Sequence, residues 1–320
     1  MAVDHAAGGP LEHLTVLYRG PLSSCNYGCP YCPFAKHRET PEEHEADRSA
    51  LDRFVAWVEA QPFPVSVLFT PWGEALIWPR YQQAVTRLSR LRHVRQVAIQ
   101  TNLSGPLRWL EHADLRKVGL WATYHPGEVA QARFLARTAE LDVLGVRHSV
   151  GVVGVPDRLP DIQALRAALN PATYLWVNAL AGGRPYTPAE RAALRGIDPL
   201  FEVNTRPYRT RGHACHAGES VISVDGDGEA RRCHFIAAPL GNIYAQDVRE
   251  LLAPRPCTRA ACDCHIGYVH LPELGAGAVY GAGLLARIPE GPDWAQPEAY
   301  LERARQLWRG SGAQASMTGA

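Results

Sequence analysis

The first 180 residues alternate between short apolar runs and segments in which apolar residues recur every three or four positions. The apolar runs predict six β-strands, over residues 14–19, 65–70, 94–101, 118–124, 146–153 and 174–180. The segments with helical spacing predict helices near residues 51–58, 81–91, 107–115, 129–144 and 162–169. Such alternation predicts an α/β fold of parallel βα units whose sheet is buried on both faces.

Six βα units are too few for the eight-fold closed barrel. A doubly wound sheet and an open partial barrel both stay possible, and in either one ligands collect at the carboxyl ends of the strands. After residue 183 the chain changes to short strands, turns and cysteines. A hairpin is predicted over residues 221–235, around an Asp-Gly-Asp-Gly turn, and a helix over residues 294–308. The small, polar segment 309–320 is expected to fray.

Composition narrows the functional classes. The chain has 320 residues, enough for one large domain and a smaller one, and a net charge of +1 that argues against a nucleic-acid binder. The first residues, MAVDHAAGGP, lack the pattern of a secretory signal, and no apolar run reaches the ~18 residues of a membrane helix. We therefore expect a cytoplasmic protein with no membrane partner, in which thiols stay reduced.

The eight cysteines fall into two groups. Three lie between Cys25 and Cys32, five lie between Cys215 and Cys264, and none lies between the groups. In a reducing compartment, such clustering indicates metal binding before disulfides.

The first group is Cys25-Asn-Tyr-Gly-Cys29-Pro-Tyr-Cys32, in the loop after the first predicted strand. A [4Fe–4S] cluster normally takes four thiolates, so three would leave one iron open for a ligand with an amine and a carboxylate. The alternative is a zinc site with His37 or His44 as the fourth ligand, although structural zinc sites more often use C-x2-C pairs.

The C-x3-C-x2-C spacing, with Tyr31 as the aromatic residue before the last cysteine, resembles the signature of the radical S-adenosylmethionine (radical SAM) superfamily. This resemblance implies an open (β/α)6 partial barrel over residues 10–195, with SAM on the open iron of a [4Fe–4S] cluster. It also implies an external electron donor, such as flavodoxin or ferredoxin, and reductive cleavage of SAM. The resulting 5′-deoxyadenosyl radical would abstract hydrogen from a substrate.

Further positions match the family more loosely. Thr-Pro-Trp-Gly73-Glu74 follows strand two, where the family has Gly-Gly-Glu, so the resemblance implies that Gly73 and Glu74 hold the SAM amino group. Glu74 could instead be an acid at a helix N-terminus, and Asn102, after strand three, could be a helix cap rather than a SAM neighbour. Ser149, in a glycine-bearing strand, and the backbone of Val177 are expected near the ribose and adenine. The glycines could instead ease helix–strand packing.

Tyr124 and His125 end the fourth predicted strand and are expected to point into the mouth of the barrel. Histidine side chains ordinarily titrate near neutrality, so His125 is a candidate catalytic residue, with Tyr124 beside it. The alternative is a structural role, which is the more common one for a lone histidine at the end of a strand.

The second group has the pattern C-x12-G-x4-C, from Cys215 through Gly228 to Cys233, followed by Cys257, Cys262 and Cys264. It resembles the SPASM/twitch extension of radical SAM peptide-modifying enzymes, here over residues 200–270, which carries auxiliary iron–sulfur clusters. Twitch modules use four cysteines for one cluster, so five imply one probable auxiliary [4Fe–4S] cluster and a spare cysteine. The spare is left open, although the close pair Cys262 and Cys264 favours one of those two.

Three histidines that each follow a cysteine could complete a second site or donate to cluster sulfur: His216, His234 and His265. A structural zinc ion is the competing interpretation of the whole group. A helical extension with a frayed tail is expected over residues 271–320. The predicted function is a radical SAM enzyme acting on a peptide or protein side chain. The alternatives are a small-molecule substrate, or a zinc-bound structural or interaction protein.

Overall fold

The computed structural model describes residues 11–34 and 37–309, so the N-terminal segment and the predicted frayed tail beyond Arg309 lie outside the described residues. Six parallel strands stand side by side in chain order. They are β1 (Leu14–Arg19), β2 (Val65–Phe69), β3 (Val94–Thr101), β4 (Val118–Tyr124), β5 (Arg147–Gly154) and β6 (Leu175–Ala179). β6 is an edge of the sheet, so the sheet does not close. The prediction of an open (β/α)6 partial barrel is confirmed.

Helices connect these strands: α1 (Pro41–Glu59), α2 (Pro79–Ser89), α3 (Gln131–Leu144), α4 (Leu159–Ala168) and, after β6, α5 (Pro188–Ile197). The helix predicted over 107–115 is a short 3-10 helix, Arg108–His112. α1 begins well before residue 51 because Thr40 and Glu43 form a capping box: Thr40 N donates to the Glu43 carboxylate at 2.7 Å, and Glu43 N donates to Thr40 Oγ1 at 3.2 Å. Within the described ranges, no helix has the length and apolar character needed to cross a membrane.

The cysteine-rich region continues the barrel sheet. Its strands are β7 (Tyr208–Arg209), β8 (Val221–Asp225), β9 (Glu229–Arg231), β10 (Pro239–Asn242) and β11 (Ala261–Cys262). The predicted hairpin is β8–β9, and β8 pairs parallel with β1 on the side opposite β2. β10 extends this edge, whereas β7 and β11 form a separate two-stranded sheet. The second cysteine group therefore belongs to a region that extends the barrel sheet from the edge at β1.

The C-terminal region folds as α6 (His265–Tyr268), α7 (Ala276–Tyr280), a 3-10 helix over Gly281–Ala286 that we call the lumen helix, and α8 (Glu298–Arg309). The lumen helix packs inside the barrel. Ser149 Oγ donates to the Ala286 carbonyl at 2.6 Å, and a Cβ on Gly119 would lie 2.7 Å from Ala286 Cβ. Gly119 is near the start of β4, so the lumen helix closes the amino-terminal end of the barrel.

The strands are buried on both faces, as their continuous apolar runs predict. The outer face packs against the helices. The inner face forms a second cluster of Leu17, Leu68, Ala98, Trp121 and Trp176 with Ile266, Leu285 and Ala286 from the C-terminal region. The barrel therefore has a filled lower half, and an open space remains only towards the carboxyl ends of the strands.

Candidate cofactor site

A cavity of about 750 Å³, the main cavity, lies at the carboxyl ends of the barrel strands. Its size lies in the usual range for small-molecule and cofactor sites. The lining includes all three cysteines of the first group together with Gly73, Glu74, Asn102 and His125. The opposite wall includes Cys264, His265 and Arg287 from the C-terminal region. The fold thus brings together residues that are far apart in the sequence.

The cysteine loop, residues 20–34, is fixed at several points. A Cβ on Gly73 would lie 1.7 Å from the Ser24 carbonyl oxygen, so only glycine allows the β2–α2 loop to approach so closely. Glu74 N donates to that same carbonyl at 3.1 Å. Further along the cysteine loop, Gly28 N donates to the Glu128 carboxylate at 2.9 Å. These bonds hold the loop over the cavity.

The three thiols all line the main cavity. Cys25 Sγ accepts from Tyr27 N at 3.4 Å and is 3.8 Å from Asn102 Nδ2. Burial raises the pKa of Cys25, and burial together with the Glu128 carboxylate raises the pKa of Cys29 to about 11. Metal binding must therefore displace protons from these thiols, and the metal's own charge drives that exchange.

The histidines of the zinc alternative have other partners. His44 Nδ1 is 3.3 Å from Glu39 Oε2 and its ring centre is 4.4 Å from that of Trp78, whereas His37 Nε2 is 3.0 Å from Ser23 Oγ. Among residues 11–34 and 37–309, no three His, Cys, Asp or Glu side chains surround a position for a single metal ion. A tetrahedral zinc site, with its donors around one ion, gains no support from this arrangement.

Glu74 is a buried carboxylate at the wall of the main cavity. It accepts hydrogen bonds from Leu76 N at 3.0 Å, from Thr101 Oγ1 at 2.7 Å and from Asn102 N. In the part of the chain that the structure describes, no lysine or arginine pairs with it, and burial raises the pKa of Glu74 to about 7. α2 begins only at Pro79, so Glu74 is not an acid at its N-terminus. A buried carboxylate without a cation suits a ligand that carries an amino group.

Asn102 joins the end of β3 to the cysteine loop. Its Nδ2 donates to Asn26 Oδ1 at 3.0 Å, and its Oδ1 accepts from Ser104 N at 3.0 Å. Asn102 is not a helix cap, which was the alternative interpretation, because the next helix begins at Arg108. Asn102 instead stabilises the turn after β3 and lines the main cavity.

Tyr31 and His125 are brought together. A hydrogen bond of 2.9 Å joins Tyr31 Oη to His125 Nδ1, and the rings are nearly parallel with centres 6.0 Å apart. Burial lowers the pKa of His125 to about 4, so its imidazole is neutral at physiological pH. The expectation for Tyr124 is wrong: it packs against Phe134 of α3, with ring centres 5.2 Å apart, because alternate residues of a strand face opposite sides.

Ser149 and Val177 do not line the main cavity, which corrects both expectations. Ser149 is fully buried, and its Oγ accepts from Trp176 Nε1 at 3.2 Å below the cavity floor. Val177 N donates to Asp198 Oδ2 at 2.8 Å, and the Val177 carbonyl accepts from Asn204 Nδ2 at 3.0 Å. The next residues on β6, 178 and 179, line the cavity instead.

Trp176 explains a glycine of β5. A Cβ on Gly151 would lie 1.8 Å from the Trp176 indole, so this glycine makes room for a side chain inside the barrel rather than for a helix outside it. Trp176 and Trp121 meet edge to face at 5.3 Å, and both line the main cavity.

Four cysteines of the second group, Cys215, Cys233, Cys257 and Cys262, line one small closed cavity, the four-cysteine cavity. The buried Arg232 holds its walls together. Its guanidinium donates to the Ala217 carbonyl at 3.0 Å, to Pro256 at 2.5 Å and to Arg255 at 2.6 Å. These bonds tie the segments around Cys215 and Cys257 to the strand that precedes Cys233. Burial raises the pKa of Cys215 and Cys233, and it raises that of Cys262 to about 12.

Cys264 faces the main cavity and is absent from the lining of the four-cysteine cavity. Cys264 is therefore the cysteine of the second group that lies apart from the other four. The histidines of this region are also apart from the four thiols. His216 faces Glu219 at 3.8 Å, His234 Nε2 is 2.9 Å from Thr70 Oγ1, and His265 lines the main cavity.

The sequence matches no protein-family model, and no curated protein sequence is similar to it. Solved structures do resemble the fold. The structure of anSMEcpe with bound AdoMet and Cp18Cys peptide is 14% identical, with a TM-score of 0.50 over 75% of this chain and 80% of that one. A second anSMEcpe structure, also with bound AdoMet, is 15% identical to this chain and has a TM-score of 0.51. SuiB from Streptococcus suis bound to S-adenosylmethionine is 12% identical, with a TM-score of 0.50 over 76% of this chain and 66% of that one.

The two proteins in these structures are radical SAM enzymes, and this chain has the same open partial-barrel fold. At this level of identity the likeness is one of fold. The cofactor and the reaction must therefore be argued from the chain's own residues.

Proposed function

We propose that this protein is a radical SAM enzyme, with a [4Fe–4S] cluster on Cys25, Cys29 and Cys32 and SAM bound beside it. One observation carries the proposal. Three thiols on the loop after β1 line the same cavity as Glu74, a buried carboxylate that has no cationic partner among the described residues. Three thiolates leave one cluster iron without a protein ligand, and Glu74 suits the amino group of a ligand at that iron.

When bound, the cluster supplies the electron that cleaves SAM to methionine and a 5′-deoxyadenosyl radical, which takes a hydrogen atom from the substrate. The residues of the chain bind and orient the reactants and exclude water. Gly73 sets the distance between the β2–α2 loop and the cysteine loop. Asn102 holds the turn after β3 against Cys25. The neutral His125, fixed by Tyr31, is the candidate group for a proton or a substrate contact.

We infer that the substrate is a peptide or protein side chain, and a small-molecule substrate is the alternative. The anSMEcpe structure with a similar fold holds a peptide together with AdoMet, which favours the peptide. The proposal includes an external donor of the flavodoxin or ferredoxin type, because no described residue supplies reducing electrons. It also includes a cytoplasmic location, where the eight thiols stay reduced.

We also propose that an auxiliary [4Fe–4S] cluster occupies the four-cysteine cavity. Four thiols around one closed space satisfy the four corners of such a cluster. Arg232 and Arg259 line the same cavity, and their positive charges favour four thiolates over four thiols.

Iron content separates the ligands from the spare cysteine. The double variant Cys233→Ala/Cys262→Ala is expected to lower the iron of the anaerobically reconstituted protein by about four atoms per chain, because the two thiolates that remain do not hold a [4Fe–4S] cluster. Cys264→Ala, next to Cys262 in the sequence but outside the four, is the control and should keep the iron content of the wild type. A loss of iron in Cys264→Ala, or no loss in the double variant, would contradict the assignment of the four ligands.

The proposed activity is tested by SAM cleavage. The reconstituted, dithionite-reduced protein is expected to convert SAM to 5′-deoxyadenosine and methionine in equal amounts, measured by chromatography and mass spectrometry. Protein without iron is the control and should form neither product. If fully iron-loaded, reduced protein leaves SAM intact, the proposed function is wrong.

A further inference from the structure

Arg287 is a buried cation at the floor of the main cavity. It directly follows the lumen helix and is only 2% exposed, yet it contributes to the lining of the cavity. Its backbone is left-handed, with φ 54° and ψ 41°, a conformation that glycine adopts more easily than arginine. The guanidinium is therefore held at this place against the local preference of the backbone.

The guanidinium is enclosed by aromatic rings. Its central carbon lies 4.2 Å from the Trp176 ring centre and 5.3 Å from that of Trp121. Trp176 cannot move aside easily, because its Nε1 donates to Ser149 and its indole fills the space left by Gly151. Indole faces attract a cation, but they offer no lone pairs to its N–H groups.

The hydrogen-bonding capacity of Arg287 is largely unused. A guanidinium has five N–H donors. Nη1 reaches Asn178 Oδ1 only at 3.5 Å, a further bond goes to Tyr280, and Nε has no partner. Asp198 is close enough to interact with the charge, but its oxygens accept from Tyr174, Val177 N and Leu200 N. Among the described residues, no carboxylate forms an ion pair with Arg287. The unpaired N–H groups of this buried cation can therefore donate hydrogen bonds to an anionic ligand.

The position of Arg287 separates it from the SAM end of the cavity. Trp121 stands two residues before Thr123 on the same side of β4, His125 directly follows the end of that strand, and all three line the cavity. At about 3.3 Å per residue along the strand, Trp121 lies roughly 7 Å further from the carboxyl end of β4 than Thr123 does. Cys25 and Glu74 follow the carboxyl ends of β1 and β2, at the mouth. The floor is therefore free for a second molecule.

A carboxylate fits this floor better than a phosphate. Two described arginines line the cavity, the exposed Arg206 and the buried Arg287. At the floor, Arg287 is flanked by two indoles and by His265, whose pKa burial lowers well below its usual value, so Arg287 supplies the positive charge there. His265 Nε2 has no partner and adds a neutral polar atom on the same wall. The planar guanidinium matches the two oxygens of a carboxylate, whereas a dianion would bury more charge than one arginine offsets.

We propose that Arg287 is a substrate-binding residue that holds a carboxylate of the substrate at the floor of the cavity, while SAM occupies the mouth. The proposal rests on the proposed function, because that function places SAM and substrate in this cavity. It adds the chemical class of one substrate group, which is either the C-terminal carboxylate of a peptide, an acidic side chain or the carboxylate of a small acid.

Calorimetric titration of the reconstituted holoenzyme, with SAM and without reductant, tests the proposal. The probes are N-acetylglycine, which presents a terminal carboxylate, and N-acetylglutamate α-methylamide, which presents a side-chain carboxylate. Their amides, N-acetylglycinamide and N-acetylglutamine α-methylamide, are neutral isosteres, and inorganic phosphate is the third anion. At least one carboxylate is expected to bind roughly 10- to 100-fold more tightly than its amide, because the bond to guanidinium is charge-assisted. The probe whose affinity exceeds that of its amide by the larger factor shows whether the substrate carboxylate is a terminal or a side-chain group.

Three variants locate the binding. Arg287→Gln should reduce carboxylate affinity to that of the amide. Asn178→Asp keeps Arg287 and its strained backbone but places a carboxylate beside the guanidinium, so it should weaken binding similarly even if Arg287→Gln fails to fold. Arg116→Gln, at a side chain that is 88% exposed and paired with Asp114, is the matched control and should bind as the wild type does.

The proposal is overturned if neither carboxylate binds better than its amide, if phosphate binds more tightly than both, or if Asn178→Asp and any folded Arg287→Gln bind as the wild type does. Equal loss in Arg116→Gln would likewise overturn it, since the effect would then be general electrostatics. No reductant is present, so the titration does not depend on SAM cleavage. Failure of SAM cleavage with intact carboxylate binding removes the proposed function and leaves the site, and the reverse result removes only the site.

Discussion

Replacement of Cys29 by alanine is expected to abolish formation of 5′-deoxyadenosine from SAM. Cys29 lies between the other two thiols of the cysteine loop, and it is buried at the wall of the main cavity. Three thiolates hold a [4Fe–4S] cluster with one iron open, whereas the two thiolates left in this variant do not hold one. The reconstituted variant should therefore contain about four fewer iron atoms per chain than the wild type. Iron analysis and product chromatography measure both effects.

The control for this change is Cys264→Ala, which removes another thiol from the wall of the same cavity. Its iron content should equal that of the wild type, because Cys264 lies outside both proposed ligand sets. Cys29→Ala should also keep the iron of the four-cysteine cavity. A Cys29→Ala protein that retains full iron content and forms 5′-deoxyadenosine would show that the cysteine loop is not the cluster site.

Replacement of Gly73 by alanine is expected to have the second-largest effect. The new methyl group would lie 1.7 Å from the Ser24 carbonyl oxygen and 2.4 Å from its carbon, so the two loops must separate. Crowding of this kind costs roughly 1–3 kcal/mol of unfolding free energy. Since a shift of about 1 Å at an active site can cost about 100-fold in rate, SAM cleavage should fall by about that factor.

Gly28→Ala is the matched control, because a Cβ at Gly28 meets no atom within 4 Å and the glycine lies in the same cysteine loop. This variant should unfold at nearly the wild-type denaturant concentration and keep most of the SAM cleavage. Denaturant titration of both variants, followed by the cleavage assay, makes the comparison. If Gly73→Ala matches Gly28→Ala in both measurements, the close approach of the two loops is not important for the site.

The strands of the barrel could be predicted because each is buried on both faces. A buried parallel strand is a nearly continuous apolar run, and the six runs stand out between segments of helical spacing. Helix starts were less well placed, although the signals were present. Thr187 and Glu190 form the capping box of α5, which was missed, and Thr40 and Glu43 do the same for α1.

The direction of single side chains could not be predicted, because a shift of one residue moves a strand residue to the other face. Tyr124 was placed in the mouth of the barrel although Thr123 and His125 are the residues that face it. Val177 was placed beside the cavity, whereas its neighbour Asn178 lines it. An apolar run marks a strand but carries no alternation that would reveal which residues face inward.

Contacts between distant parts of the chain were also beyond the sequence. The cysteine spacing predicts a cluster loop, but it does not reveal that Cys264 turns away from the other four cysteines. Nothing local to the lumen helix predicts that Ala286 fits against Gly119 or that Arg287 reaches the cavity floor. These features depend on the packing of the C-terminal region into the barrel, which only the folded chain shows.

The central claim is that the cysteine loop holds a cluster with one iron open to SAM. Electron paramagnetic resonance of reduced, anaerobically reconstituted protein tests it most directly, in a Cys233→Ala/Cys262→Ala background whose two remaining thiolates do not hold the auxiliary cluster. Addition of SAM is predicted to change the g values of the cluster signal, because the amino acid part of SAM becomes a ligand of that iron. A fully formed cluster whose signal is the same with and without saturating SAM would contradict the account.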